Sequence, residues 1–419
     1  LSCGLKGGNL KKRKTFGHYL TVLLVIVLST FMTACTSSSS AQTGGGNETA
    51  ASSDELFLPN STPESQGIDS QIFDVISQDA QNGRFGDLDS LVVIRNDHII
   101  HEEYFREHGR DIPHRLYSVS KSITSLLIGI AMQHGFIEGL DQKLLDFFPE
   151  YELSEIANWD DRKADITLED VLTMRAGFKW DEWSFPYTHD NNDTTPLFVS
   201  DDWMKHMLDL EMAHTPGSTY TYNSGVTMLL SGIIRNSSGM NTRDFALKYL
   251  YEPLGINNID WALGNPGMED TDPFVLDTSV AREQILYNTG WGMLLRSIDM
   301  AKIGYLVLNS GLWEEERLIS EDWINISTAH HVNRGSNSGY GFQWWMRPMR
   351  NVTGHTPQIN DIISANGWGG QFIQIIPSMN MIIVMNAENY TNGQAGTETN
   401  DLMPRILRAV RDVNEVSLN

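Results

Sequence analysis

Hydrophobic and polar positions along the chain fall into two rhythms. Leu91-Val92-Val93-Ile94-Arg95, then Asn96-Asp97, then residues 98–104 predict two strands joined by a tight turn. A second pair closes the sequence: Phe372-Ile373-Gln374-Ile375-Ile376 runs into Pro377-Ser378-Met379-Asn380, and 381–386 follows. Between these ends, apolar residues recur at helical spacing, with Gly and Pro breaks. Helices are predicted over 118–134 (closed by Gly135), 168–174, 227–236, 242–250 and 297–308, with an amphipathic one over 403–413. No internal repeat is present. Strands at both ends with helices between them predict an α+β fold (α/β in looser usage). Its central antiparallel sheet is built from both termini and flanked by helices, with a helical insertion at about 122–285.

The first 35 residues follow neither rhythm. Lys11-Lys12-Arg13-Lys14 precede an apolar run over 20–32 and then Thr33-Ala34-Cys35, the layout of a secretory signal peptide. The run is shorter than the roughly 20 apolar residues that a membrane-spanning helix needs. Met32-Thr33-Ala34-Cys35 resembles a bacterial lipobox, which makes Cys35 the expected lipidation site. The expected location is periplasmic, after export across the inner membrane, with a lipid anchor. Plain cleavage and release is the alternative. Residues 36–60 read as a Ser/Gly-rich tether, and 61–419 as one folded domain.

Composition narrows the chemistry. The 419 residues are 41% hydrophobic and 10% aromatic, enough for an ordinary core. Net charge is −23, and Lys6, Lys11, Lys12, Arg13 and Lys14 all lie in the leader, so the folded part is more acidic still. Such a surface repels nucleic acid and argues against it as a partner. The only cysteines, Cys3 and Cys35, precede the domain, which therefore has no disulfide, thiol nucleophile or thiolate metal site. Gly-x-Ser-x-Gly and His-Glu-x-x-His are absent, and His330-His331 reads as a surface pair. No metal and no organic cofactor are expected.

Ser118-Val119-Ser120-Lys121 opens the helix predicted over 118–134. Of the lysines beyond the leader, only Lys121 has a serine three residues before it. On a helix that spacing puts both side chains on one face. Ser118 at the helix start meets free N–H groups and the positive dipole end, which favour a developing negative charge. A buried lysine of lowered pKa can take the serine proton. Alternatively Ser118 caps the helix and Lys121 is solvated. The apolar continuation Ile123, Leu126, Leu127, Ile130 and Ala131 counts against that, because it buries the lysine.

Tyr117-Ser118-Val119-Ser120-Lys121-Ser122 resembles the active-site helix of class C β-lactamases, family VIII carboxylesterases, D-aminopeptidases and 6-aminohexanoate-dimer hydrolases, all in the serine β-lactamase and penicillin-binding-protein superfamily. Residues 166–174 with Ala176-Gly177, and Trp291-Gly292-Met293 leading to 299–304, resemble further segments of that superfamily, in the same order. The likeness implies a serine hydrolase forming an acyl-enzyme on Ser118. Pro216-Gly217 followed by Tyr222-Asn223-Ser224 resembles the superfamily's Tyr-x-Asn motif, with Tyr222 as the catalytic tyrosine and Ser224 in place of the usual Asn. Tyr220 is the rival tyrosine. A tyrosinate beside a protonated lysine is the implied base.

Trp368-Gly369-Gly370 stands where β-lactamases have Lys-Thr-Gly, expected here as the lead into an edge strand, and family VIII esterases are similar in having Trp-Gly-Gly. The implied oxyanion hole is the backbone N–H of Ser118 and Gln371. Implied substrate contacts are Ser224, Trp368, Gly369 and Gly370, with Trp183 and Tyr187, beside Trp180, as walls from an Asp-rich loop. The expected reaction is hydrolysis of small carboxylic esters. Alternatives are amide hydrolysis, as in 6-aminohexanoate-oligomer hydrolases, D-aminopeptidases or β-lactamases, and a non-catalytic penicillin-binding-like sensor. The expected partner is a small ester or amide, with a membrane contacted only through the N-terminal lipid.

Overall fold

The computed structural model describes residues 57–187, 189–257, 259–261, 286–350, 352, 355–390 and 401–411. The leader with Cys35, most of the tether, residues 262–285 of the expected insertion, and the end of the helix expected over 403–413 lie outside the described residues. Among the described residues no helix is long and apolar enough to cross a membrane.

In chain order the helices are α1 (Gln71–Gln81), α2 (Val119–Gln133), α3 (Leu168–Leu172), α4 (Thr194–Phe198), α5 (Trp203–Leu208), α6 (Ser224–Ser238), α7 (Thr242–Ala246), α8 (Ser297–Leu308), α9 (Glu321–Ser327) and α10 (Leu402–Arg408). An N-terminal hairpin, β1 (Leu88–Arg95) and β2 (His98–Tyr104), opens the sheet. Strands β3 (His114–Arg115), β4 (Asp260–Trp261) and β5 (Met293–Leu295) form a small side sheet, and β6 (Leu312–Trp313) pairs with β7 (Glu316–Arg317). Then come β8 (Val332–Asn333), β9 (Gly339–Tyr340), β10 (Trp345–Arg347), β11 (Ile362–Gly367), β12 (Gln371–Ile376) and β13 (Met381–Ala387). The main sheet has eight strands in the order β2-β1-β13-β12-β11-β10-β9-β8, antiparallel throughout. The two ends of the chain meet where β1 pairs with β13, as the terminal strand pairs predicted.

Every residue of β1, β12 and β13 is buried, so the sheet centre is covered on both faces. The period of two divides their side chains between two cores. Val92, Ile94, Ile373, Ile375, Ile382 and Val384 face the core shared with α2, α6 and α8. Leu91, Val93, Phe372, Ile383 and Met385 face the one closed by α1 and α10.

Three helix expectations differ at their ends. The helix expected over 168–174 stops at Leu172, and Met174 takes a φ of 59°. That over 227–236 is longer, because Asn223 caps α6 through the Val226 N–H and Gly239 closes it at φ 71°. That over 242–250 changes after Ala246 into a π-helical turn, Leu247–Tyr251.

Helix α8 lies close on the sheet because residue 304 is glycine. A Cβ there would sit 2.8 Å from Ile382 Cγ2 and 3.0 Å from Ile373 Cγ2. Gly304→Val is expected to lower the unfolding free energy by roughly 1–3 kcal/mol through overpacking. Urea denaturation measures this, and an unchanged midpoint would mean that the contact between helix and sheet yields without cost.

Candidate active site

The approach to Ser118 is fixed by the side sheet. His114 and Arg115 pair with Leu295 and Leu294, and the Leu116 N–H donates to Met293 O at 2.8 Å. Tyr117 then turns the chain at φ 47°, a left-handed conformation uncommon away from glycine, and Ser118 becomes the N-cap of α2. The Ser118 side chain makes no capping bond. Its Oγ instead accepts from Lys121 Nζ at 3.1 Å.

Lys121 is buried, and its ammonium also donates to Gly290 O at 2.7 Å. Burial lowers its pKa from 10.5 to about 8, against the opposing pull of the Glu182 charge. The acceptor carbonyl is held in place by its own loop. Asn288 Oδ1 accepts from the N–H groups of Gly290 (3.1 Å) and Trp291 (3.0 Å), and Thr289 Oγ1 donates to Thr227 O at 2.6 Å. Gln343 binds α2 to α6, since its carbonyl accepts from Ser122 Oγ at 2.7 Å and its side chain accepts from Thr227 Oγ1 at 2.9 Å.

Tyr222 enters from the turn before α6. Its ring centroid is 5.2 Å from Lys121 Nζ, and Ser118 is near enough to favour the ionised form of its phenol. Tyr220 instead packs against Tyr340, with centroids 5.3 Å apart. Burial, and then the Glu182 charge, push the Tyr222 pKa well above its usual value, with Ser118 opposing. The resting phenol is therefore neutral, and the tyrosinate implied by the family likeness is disfavoured here.

Glu182 is the candidate site residue that sequence reasoning missed. It is buried and accepts from Ser224 N (2.6 Å), Trp180 Nε1 (2.7 Å), Ser224 Oγ (2.8 Å) and Tyr187 O–H (3.2 Å). A single glutamate in Lys179-Trp180-Asp181-Glu182-Trp183 has no spacing that marks it. The Ser224 hydroxyl is thereby committed to Glu182.

Trp368-Gly369-Gly370 forms the turn between β11 and β12. The edge strand expected after it is corrected: β12 lies inside the sheet, because β11 pairs along it from Ile363↔Ile375 to Gly367↔Gln371. Gly369 and Gly370 adopt φ of 86° and 108°, and a Cβ on Gly369 would lie 2.0 Å from the Tyr390 ring. A Cβ on Gly367 would lie 2.3 Å from Leu116 O, so this turn abuts the approach to Ser118. Trp368 meets Tyr390 (4.9 Å), Tyr117 (5.3 Å) and Tyr187 (5.9 Å). Gln371 begins β12 with its side chain bonded to Ala387 O and Asn386. Trp183 is 57% exposed and stacks on Tyr222 at 5.0 Å, while Trp180 is buried.

Two other features share no residue with this cluster. A surface cavity of about 620 Å³ is lined by Lys179, Asp193, Asp202, Lys205 and Asp209. Its lysines are already ion-paired, Lys179 to Glu211 and Lys205 to Asp209, both at 2.8 Å. Asp89, His108 and His114 are grouped like metal ligands, with Arg106 on Asp89 at 2.7 Å.

The family model for Beta-lactamase matches residues 77–410. The chain belongs to the Beta-lactamase family. Its fold is the β-lactamase fold. A curated relative, unguisins hydrolase ungD of Aspergillus violaceofuscus (strain CBS 115571), is 29% identical over 97 residues. That match covers 23% of this chain and only 16% of the relative's length. Among solved structures, EstCE1, a hydrolase with promiscuous acyltransferase activity, aligns at TM-score 0.64 and 18% identity, covering 83% of this chain and 100% of that one. A family VIII carboxylesterase aligns at 0.61 and 16%, covering 85% and 98%. A Bacillus anthracis protein assigned as a 6-aminohexanoate-dimer hydrolase aligns at 0.61 and 19%, covering 78% and 81%.

In this Beta-lactamase-family site Glu182 opposes the loss of the Lys121 proton. Removing its charge lowers the Lys121 pKa further. Glu182→Gln is therefore expected to move the acidic limb of the kcat/KM profile to lower pH than in the wild type, where it lies near the Lys121 value of about 8. A pH–rate series checks this, and a limb that stays or moves upward would remove Glu182 from the electrostatics of Lys121.

Proposed function

We propose that the chain is a serine carboxylesterase acting on small esters, with Ser118, Lys121 and Tyr222 as one proton-transfer unit. The observation that carries this reading is the Ser118 Oγ accepting from a buried Lys121 Nζ at 3.1 Å, with the Tyr222 ring 5.2 Å from the same ammonium. Neutral Lys121 takes the Ser118 proton, directly or through the neutral Tyr222 phenol, as Oγ attacks the ester carbonyl. The backbone N–H groups of Ser118 and Gln371 hold the oxyanion. The C–O bond breaks, and Tyr222 gives a proton to the departing alkoxide while taking one from Lys121. Water then follows the same route in reverse, releasing the carboxylic acid and restoring Ser118.

Two features favour esters over amides. Trp368, packed among Tyr117, Tyr187 and Tyr390, presents an apolar wall where Lys-Thr-Gly would supply a cation. The Ser224 hydroxyl, in the place of an amide-holding Asn, is engaged by Glu182. Trp183, Gly369 and Gly370 complete the substrate's surroundings in this reading. p-Nitrophenyl butyrate should be cleaved at least roughly tenfold faster, in kcat/KM, than nitrocefin or an aminohexanoate dimer, about 1.4 kcal/mol of differential transition-state binding. Ser118→Ala should lose several orders of magnitude. Faster cleavage of either amide would replace the esterase reading with an amidohydrolase one, and wild-type turnover by Ser118→Ala would remove the nucleophile.

We further propose that residues 1–35 are an export signal and that Cys35 carries lipid in the periplasm, supported by the basic, apolar and small-residue order of that segment. Expressed in a bacterium, the protein should fractionate with membranes, and Cys35→Ser should abolish lipid attachment. Stable anchoring takes two or more acyl chains. Soluble wild-type protein bearing no lipid would leave plain secretion.

A further inference from the structure

We infer that Arg334 forms an anion-binding subsite at the mouth of the active site, so that preferred substrates carry a carboxylate on the alcohol part that leaves. The inference rests on the esterase reading above and names its substrate class.

Arg334 lies in the connection between β8 and β9, where its N–H donates to Ser338 O at 2.9 Å. Its guanidinium carbon is 4.6 Å from the Trp345 ring, 4.7 Å from Tyr220 and 5.6 Å from Trp183. Trp183 and Trp345 are also the rings that pack on Tyr222, at 5.0 and 5.7 Å. The cation thus stands one ring away from the phenol that protonates the leaving group. Its charge reaches that phenol, where it acts against the upward push of burial on the Tyr222 pKa.

Aromatic rings occupy the faces of a guanidinium and leave its N–H edge free to bind. Among the described residues Arg334 has neither an ion pair nor a side-chain hydrogen bond. The chain has 53 acidic residues against 30 Lys and Arg, and Arg106, Arg162, Arg235, Arg296 and Arg405 are all ion-paired. An arginine without an ion pair among the described residues, set beside three rings, is placed for an anion that arrives with the substrate. The Tyr220 hydroxyl, on a ring touching the guanidinium, is buried without a partner as well. Carboxylates bind a guanidinium edge through paired charge-assisted hydrogen bonds. Because Arg334 reaches the centre through the rings around Tyr222, the anion belongs on the leaving-group side.

The test compares 3-acetoxybenzoate with its methyl ester, which differ in the charge of the leaving alcohol. Wild type should prefer the carboxylate at least roughly tenfold in kcat/KM, with the ratio falling toward one in Arg334→Gln and lying between in Arg334→Lys. Equal ratios in wild type and Arg334→Gln would overturn the subsite. Binding of 3-hydroxybenzoate and methyl 3-hydroxybenzoate, followed by tryptophan fluorescence, keeps the two readings separate. If neither ester is hydrolysed, the esterase reading falls and the binding data still decide the subsite. Tighter binding of the acid that is lost in Arg334→Gln supports it, and equal binding of the acid by both proteins refutes it.

Discussion

A lysine ammonium taken out of water is the constraint on which the rest of this site depends. Lys121 is 1% exposed and, among the described residues, has no ion pair. Its hydrogen-bond acceptors are the Ser118 hydroxyl and the Gly290 carbonyl. Moving its pKa from 10.5 to about 8 disfavours the charged form by roughly 3 kcal/mol. At pH 7 about one such lysine in ten is neutral, against about one in three thousand for a lysine in water. That gain in usable base requires a dry environment, and the fold provides it. The apolar face of α2 sits against the sheet, and the 288–291 loop is fastened to α6 through Thr289.

The same burial that frees the lysine restrains the tyrosine. Desolvation penalises a phenolate as it penalises an ammonium, so Tyr222 stays neutral, and in the proposed mechanism it is a relay between Ser118 and Lys121. Glu182 acts on both, raising each pKa, while its oxygens gather Trp180, Tyr187 and Ser224 around the reacting groups. Burial dominates both shifts, and one carboxylate thus adjusts them and orders the surroundings. A buried carboxylate with four donors is well satisfied, which is what allows a second charge so near the lysine.

Much of this was legible in the chain. The two terminal strand pairs, α2 and α8 follow from local periodicity, and the side chains of Ser118 and Lys121 meet because three residues is nearly one helical turn. The Tyr222 partnership came from likeness to other sequences, since no local rule joins residues 118 and 222. Strand β11, Ile362–Gly367, reads Ile-Ile-Ser-Ala-Asn-Gly with no regular alternation to mark it as a strand, so the interior position of β12 was hidden. Glu182 and Arg334 were equally invisible. Each finds its contacts on other elements: Ser224 at the start of α6 for one, and Trp345, Tyr220 and Trp183 for the other.

The central claim is that Ser118, Lys121 and Tyr222 work as one proton-transfer unit. A double-mutant cycle on acylation measures this most directly. Ser118 acylation by a p-nitrophenyl ester is followed in single turnover for wild type, Lys121→Ala, Tyr222→Phe and the double variant. The account predicts that each single change nearly abolishes acylation and that the double change costs little more than either alone. Losses that add in log rate would show two residues acting independently and would contradict it.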